Sequence, residues 1–264
     1  MSKNYWQDRE ADELAKVTER SVQETEKLLA KSYRNSAKKV VEEFEATYEK
    51  LLNTIADGKE PTPADLYKLD KYWQMSAKLN EELRKLGYAQ EKVLSRQFLK
   101  EFEEIYGAIS FKGIDTFSTI SEGEMVKAIN SIWCADGLTW SKRVWNNIEK
   151  LTETLQEELI HCVTTGKSTR QLKELLQERF DVSYKQADML VRTEMAHIQT
   201  TAAAQRYQDY GLTHYEFLGR EEHDTGCACK KLDGKRYKYT EMVIGKNAPP
   251  LHPRCRCSII PVVE

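Results

Sequence analysis

From Tyr33 onward, apolar residues recur in steps of three and four: Tyr33, Ala37, Val40, Val41, Phe44, Tyr48, Leu51, Leu52 and Ile55, with Glu and Lys filling the gaps. That spacing lines them along one face of a helix. No proline interrupts residues 1–57, and Gly58 is a natural stop. The pattern predicts one long amphipathic helix over 1–57, either packed on its own protein or presented to a partner. Thr62-Pro63-Ala64-Asp65 then offers a capping hydroxyl, a proline in the first turn and an early acid. The helix it opens carries Leu66, Leu69, Tyr72, Trp73, Leu79, Leu83 and Leu86, and Gly87 reads as its end. A third helix follows through Val93, Leu94, Phe98, Phe102 and Ile105 to Ile109.

Residues 111–140 are irregular, punctuated by Gly113 and Gly123, with a capping box at Ser121 and Glu124 that predicts one short helix. Helical period resumes at Ser141 with Val144, Trp145, Ile148, Leu151, Leu155 and Leu159 and closes at Gly166. Ser168-x-x-Gln171 caps the next helix, and Ser183-x-x-Gln186 reads as the cap of the last, which ends at Gly211. Beyond Gly211 the period changes to alternation: Thr213–Leu218, Arg236–Thr240 and Ser258–Val263 are candidate strands. The expected fold class is mainly α, long amphipathic helices followed by a small C-terminal α+β module containing Cys and His. The expected division is a long-helix region over 1–110, a connector over 111–140, and a C-terminal domain over 141–264. The last comprises helices over 141–211 and a strand-and-loop module over 212–264.

Composition narrows the functional classes. Charged residues are 31% and hydrophobic residues 40%, with a mean hydropathy of −0.66, which suits exposed helices. The net charge of −2 gives no global attraction for nucleic acid, although a local basic face stays open. No stretch has the apolar length to cross a bilayer, so no membrane partner is expected. The opening residues lack the apolar core of a secretory signal. The expectation is a chain kept in a cytosol, where thiols stay reduced.

Candidate chemistry collects at the end of the chain. Four of the six cysteines fall there, as Cys227-x-Cys229 and Cys255-x-Cys257, with His252 just ahead of the second pair. Thiolates and a neutral imidazole offered from two loops suit a tetrahedral structural zinc site, and a small module with little core gains from such a staple. Buried free thiols with a satisfied loop histidine, or a disulfide between the two clusters, are the alternatives. His214 and His223 are spare ligand candidates. A Cys–His nucleophile would need a third orienting group, and none stands out. The P-loop, GxGxxG, His-Glu-x-x-His and Gly-x-Ser-x-Gly motifs are absent, and no catalytic residue is assigned. Arg192 and Glu194 lie mid-helix among apolar residues, where an inward charge needs a partner. They are read as locking that helix onto the C-terminal module.

These residues also carry a resemblance. Leu232-Asp233-Gly234, Pro249 to Cys257 with its His252-Pro253-Arg254-Cys255-Arg256-Cys257 core, and a leading Asp224 together resemble the C-terminal signature of the phage Mu F-like minor head proteins, or phage head morphogenesis family. The family's first Cys position falls on Gly226, with Cys227 displaced by one, and Cys229 matches the second. Arg192-Thr193-Glu194 matches the family's recurring Arg-Thr-Glu, Gly166-Lys167-Ser168 its Gly-x-Ser turn, and Asn4-Tyr5-Trp6 the start of many such proteins. The resemblance implies a Mu F-like domain over 141–264 in a structural virion component. Its partners would be the portal protein, capsid or scaffold proteins. Its place would be the capsid interior or portal vertex, and the host cytoplasm during assembly. Its work would be head assembly, DNA packaging or ejection. Asp224, Asp233, Gly234 and Pro253, with the cysteines and His252, would hold the small module together. The alternative is a zinc-dependent hydrolase, or a DNA-binding protein contacting phage DNA through Lys230, Lys231, Lys235, Arg236, Arg254 and Arg256.

Overall fold

The computed structural model describes residues 5–55, 61–110, 119–219 and 228–263. Gly58, Gly113, His223, Asp224, Gly226, Cys227 and Asn4 lie outside them, so the expectations placed on those residues are not addressed by it. The chain is mainly α with a small C-terminal α+β module. In order run α1 (Tyr5–Ile55), α2 (Pro63–Leu66), α3 (Asp70–Ala108), α4 (Glu122–Ile129), α5 (Trp140–Thr164), α6 (Thr169–Asp209), β1 (His214–Leu218), α7 (Ala228–Leu232), β2 (Arg236–Lys238), a 3-10 turn (Tyr239–Glu241) and β3 (Ser258–Pro261).

Three boundaries differ from the sequence reading, each for a physical reason. The Thr62 capping box forms, but it opens only the four-residue α2, and the long helix restarts at Asp70. Gly87 does not end a helix: α3 passes straight through it. A Cβ at Gly87 would lie 2.7 Å from Trp145 Cζ3, so glycine is there to admit an indole against the helix backbone. Ser183 caps nothing, because α6 is continuous from Thr169. Its side chain is buried and lies 3.2 Å from the Tyr33 hydroxyl, which also accepts from Gln90 Nε2. The cap at Ser168 does form, with Gln171 N–H on Ser168 Oγ and Ser168 N–H on Gln171 Oε1.

The chain divides into two compact units. One gathers 27–93 and 141–188. Its buried residues are apolar stripes read off the helical period: Leu29, Tyr33, Val40, Phe44, Tyr48 and Leu51 of α1, Met75, Leu79, Leu83 and Leu86 of α3, Val144, Ile148, Leu155 and Leu159 of α5, and Leu172, Leu176 and Phe180 of α6. Fully burying one such side chain contributes about 1.5–3 kcal/mol.

The other unit gathers 1–26, 94–140 and 189–264. Its helical part buries Ala11, Leu14 and Val22 of α1, Phe98, Phe102 and Ile105 of α3, and Val191, Met195, Ile198 and Tyr207 of α6. Polar groups interrupt the apolar ones here. Glu101 is fully buried, and Thr18 Oγ1 donates to it at 2.5 Å. Burial pushes its carboxyl above the usual carboxylate range. The small sheet has strand order β2–β1–β3, all antiparallel, with Tyr215 opposite Tyr237 and Phe217 opposite Ile259. The alternation along β1 turns Tyr215 and Phe217 inward.

Candidate metal centre

The site is assembled from three short pieces around the inner end of β1. The first is α7, which carries Cys229. Its position is fixed by the corner that follows it. Asp233 Oδ1 accepts the Gly219 N–H at 2.7 Å, and Gly234 N–H reaches Phe217 O at 2.9 Å. Gly234 has φ +72°, the left-handed region that glycine enters without strain. A Cβ at Gly219 would sit 3.0 Å from the Asp233 carboxyl carbon, so this strand end needs glycine for close approach. Leu232-Asp233-Gly234 is thus a corner that clamps α7 onto β1.

The second piece is the turn His252–Cys255, closed by Cys255 N–H on His252 O at 3.2 Å, with Pro253 at its second position. The third is the run from Cys255 into β3, which carries Cys257. Cys229, Cys255, Cys257 and Phe217 form one buried apolar cluster, with Leu232 and Leu251 against it.

One donor atom from each of Cys229, His252 and Cys255 lies within 4.8 Å of the other two. The two sulfurs are 3.8 Å apart and neither is in a disulfide. A tetrahedron with bonds of about 2.3 Å from zinc to sulfur has an edge of roughly 3.8 Å, so the spacing fits. His252 Nδ1 lies 2.9 Å from Pro253 O, and donation there leaves the ring's lone pair on Nε2, which is shielded from solvent. The Cys255 thiol is held down to about 5, first by a hydrogen bond from Cys257, then by backbone N–H groups of Leu251 and Cys257 and the nearby His252 imidazole, against the opposing effect of burial. A thiolate, an imidazole and a second thiol converging in an apolar pocket form a soft donor set of the kind zinc takes.

Of the five proposed ligands, the structure therefore brings together three. Cys257 is buried beside them and donates to Cys255 but is not one of the converging donors. Cys227 lies outside the described residues. His214 is on β1 with its Nδ1 2.8 Å from Thr213 Oγ1.

From sequence, Arg192 and Glu194 read as the lock onto this module, and the described residues show where some of their contacts go. Among the described residues, a bond to the module comes from the residue between them: Arg254 N–H donates to Thr193 Oγ1 at 3.1 Å. Arg192 pairs with Glu26 and Glu19 of α1. Glu194, 2% exposed, accepts from Trp133 Nε1 at 3.0 Å and lies 3.8 Å from His197 Nδ1. Trp133 stacks on the buried His197 ring at 5.0 Å. The tripeptide is a junction with three different partners. In the sequence Thr193 stands only as the middle of the Arg192-Thr193-Glu194 motif, because a mid-helix threonine does not announce what its hydroxyl will bond.

Residues 153–260 match the family described as phage Mu protein F like protein, a likeness confined to that part of the chain. The chain is also similar to the NAD(+)–arginine ADP-ribosyltransferase EFV of Enterococcus faecalis (strain ATCC 700802 / V583), 25% identical over 142 residues that cover 48% of this chain and 29% of that protein. The chain thus spans less than a third of that relative's length. No solved structure matches it.

Proposed function

We propose that this chain, Mu F-like over residues 153–260, is a structural minor head protein of a tailed phage. In this reading it associates with the portal or the procapsid interior, and assists head assembly, DNA packaging or ejection. The family match is the observation that carries the reading. The physical picture supports it: long amphipathic helices suited to partner contact, a compact Cys/His module, and donors that converge in a buried apolar cluster rather than an open cleft. Among the described residues no helix is long and apolar enough to cross a membrane. The metal is structural zinc, held by Cys229, His252 and Cys255, and it staples α7 to the turn before β3. We assign it no catalytic step.

Co-expression with the portal protein of the same genome tests the main reading. Co-migration in a gradient at a small fixed stoichiometry, read by native mass spectrometry, is the expected result. A chain that sediments alone in the presence of portal would sink it.

A second reading, compatible with the first, is contact with phage DNA. From Ala228 to Val263 eight lysines and arginines face two acids, in a chain whose net charge is −2, and all eight cations are exposed. Phosphate contact through this face predicts binding that weakens steeply with salt. Arg236 is already engaged by Glu216 at 2.8 Å, and the lysines of α7 lie exposed beside it in sequence.

A further inference from the structure

We propose that Thr193 is a positioning residue of the metal centre: it holds the His252–Cys255 turn in the one conformation that converges the two donors. The inference rests on the metal reading above. The third residue of that turn, Arg254, has φ +58° and is the one non-glycine residue with positive φ among the described residues. Proline second and a left-handed residue third is the type II pattern, whose third position glycine fills without strain and arginine does not. A conformation of this kind persists only where the surroundings over-determine it.

Thr193 supplies that determination. Its hydroxyl donates to Met189 O at 2.7 Å, one turn back along α6, which commits its proton and leaves its lone pairs to accept. The Arg254 N–H meets it at 3.1 Å. The link runs from the backbone of a 41-residue helix, through one hydroxyl, to the peptide between two candidate ligands. Rotating that peptide would swing His252 and Cys255 apart. Partners that orient metal ligands in this way typically change affinity by tenfold to a hundredfold when removed.

The test titrates the full chain with Zn2+ against a chromophoric competing chelator, for wild type, T193V, T193S, R254G and T193V/R254G, with melting of the metal-free forms alongside. Valine keeps the shape and β-branching of threonine and removes only the oxygen. T193V is expected to bind zinc about tenfold to a hundredfold more weakly, while T193S stays close to wild type. R254G binds as well as wild type or better, since glycine adopts the turn unaided. T193V/R254G recovers most of the affinity that T193V loses, a rescue that a general loss of fold would not give. Equal zinc affinity for wild type and T193V overturns the positioning role and leaves the metal reading standing. A wild type that takes up no zinc overturns both. R254G binding more weakly than wild type overturns the role whether or not T193V folds.

Discussion

The two units differ most in what they bury. In the unit formed by 27–93 and 141–188, the buried polar residues among those described are Ser36, Ser76, Gln90 and Ser183, all neutral. In the unit formed by 1–26, 94–140 and 189–264, they include Glu101, Glu194 and His197, beside three buried thiols against the other unit's Cys162. Glu10, partly buried there in electrostatic range of Tyr207 and Tyr239, has its carboxyl pushed up to about 7 by burial. Buried ionisable groups are expensive to desolvate and are retained where each has a partner. One unit is therefore an exercise in packing. The other keeps ionisable groups in place, and it is the one that holds the candidate metal centre.

The comparison can be broken at its strongest point first. Phe180→Ala, in the apolar unit, is expected to destabilise by about 3–5 kcal/mol and to leave bound zinc per chain unchanged. Cys255→Ser is expected to cost on the order of 3 kcal/mol and to abolish zinc binding, with protection from hydrogen exchange lost in β1, α7 and β3. Elemental analysis paired with hydrogen exchange separates the two. If both variants lost metal alike, the division of labour would be wrong.

A smaller effect sharpens the packing side. Gly87→Ala gains helix propensity but drives a methyl into the Trp145 ring, so a net loss of about 1–2 kcal/mol is expected by urea unfolding. Trp145→Leu in the same chain should remove most of that penalty. A stabilised G87A would mean that the indole moves aside freely.

The smallest effect concerns pH. The Glu10 carboxyl titrates at about 7 in the folded chain against 4.5 ordinarily, so folding favours its protonated form. Stability from this group is present below about 4.5, falls as pH rises to about 7, and its full penalty persists above that. Glu10→Gln is expected to stabilise by roughly 1 kcal/mol at pH 8, after discounting for partial exposure, and not at all at pH 4. Urea titrations at both values check it; a gain that does not vary with pH would point to packing instead.

What could be read in advance follows the same division. The apolar stripe from Tyr33 to Leu51 was legible because period and hydrophobicity coincide there. The preceding part of α1 was not, because its buried stripe is built from Ala11, Ser21 and Thr25 as well as Leu14 and Val22. Gly87 and Ser183 were taken for punctuation, although the buried spacing Leu83, Leu86, Gln90, Leu94 and the spacing Phe180, Ser183, Ala187 run through both without a break. Local turn chemistry was outweighed by a tertiary neighbour in each case, an indole and a tyrosine hydroxyl. At the candidate site, residue types announced Cys229, His252 and Cys255. Thr193 and Gly219 serve through a hydroxyl and a missing side chain; the first stood only as the middle of the Arg192-Thr193-Glu194 motif, and the second carried no signal.

The interleaving of the two units along the chain bears on how the protein is made. Everything the apolar unit needs has been translated once residue 188 is complete. The other unit includes residues 1–26, yet it must wait for Cys255, Cys257 and β3, made long after them. The first part of α1 meets its α3 partners, such as Glu101 for Thr18, before the midpoint, but those of α6, such as Arg192 for Glu26, only after residue 188. During that interval a nascent chain offers Glu19 and Glu26 to whatever the ribosome's surroundings supply, and the arrival of Arg192 on α6 ends the offer.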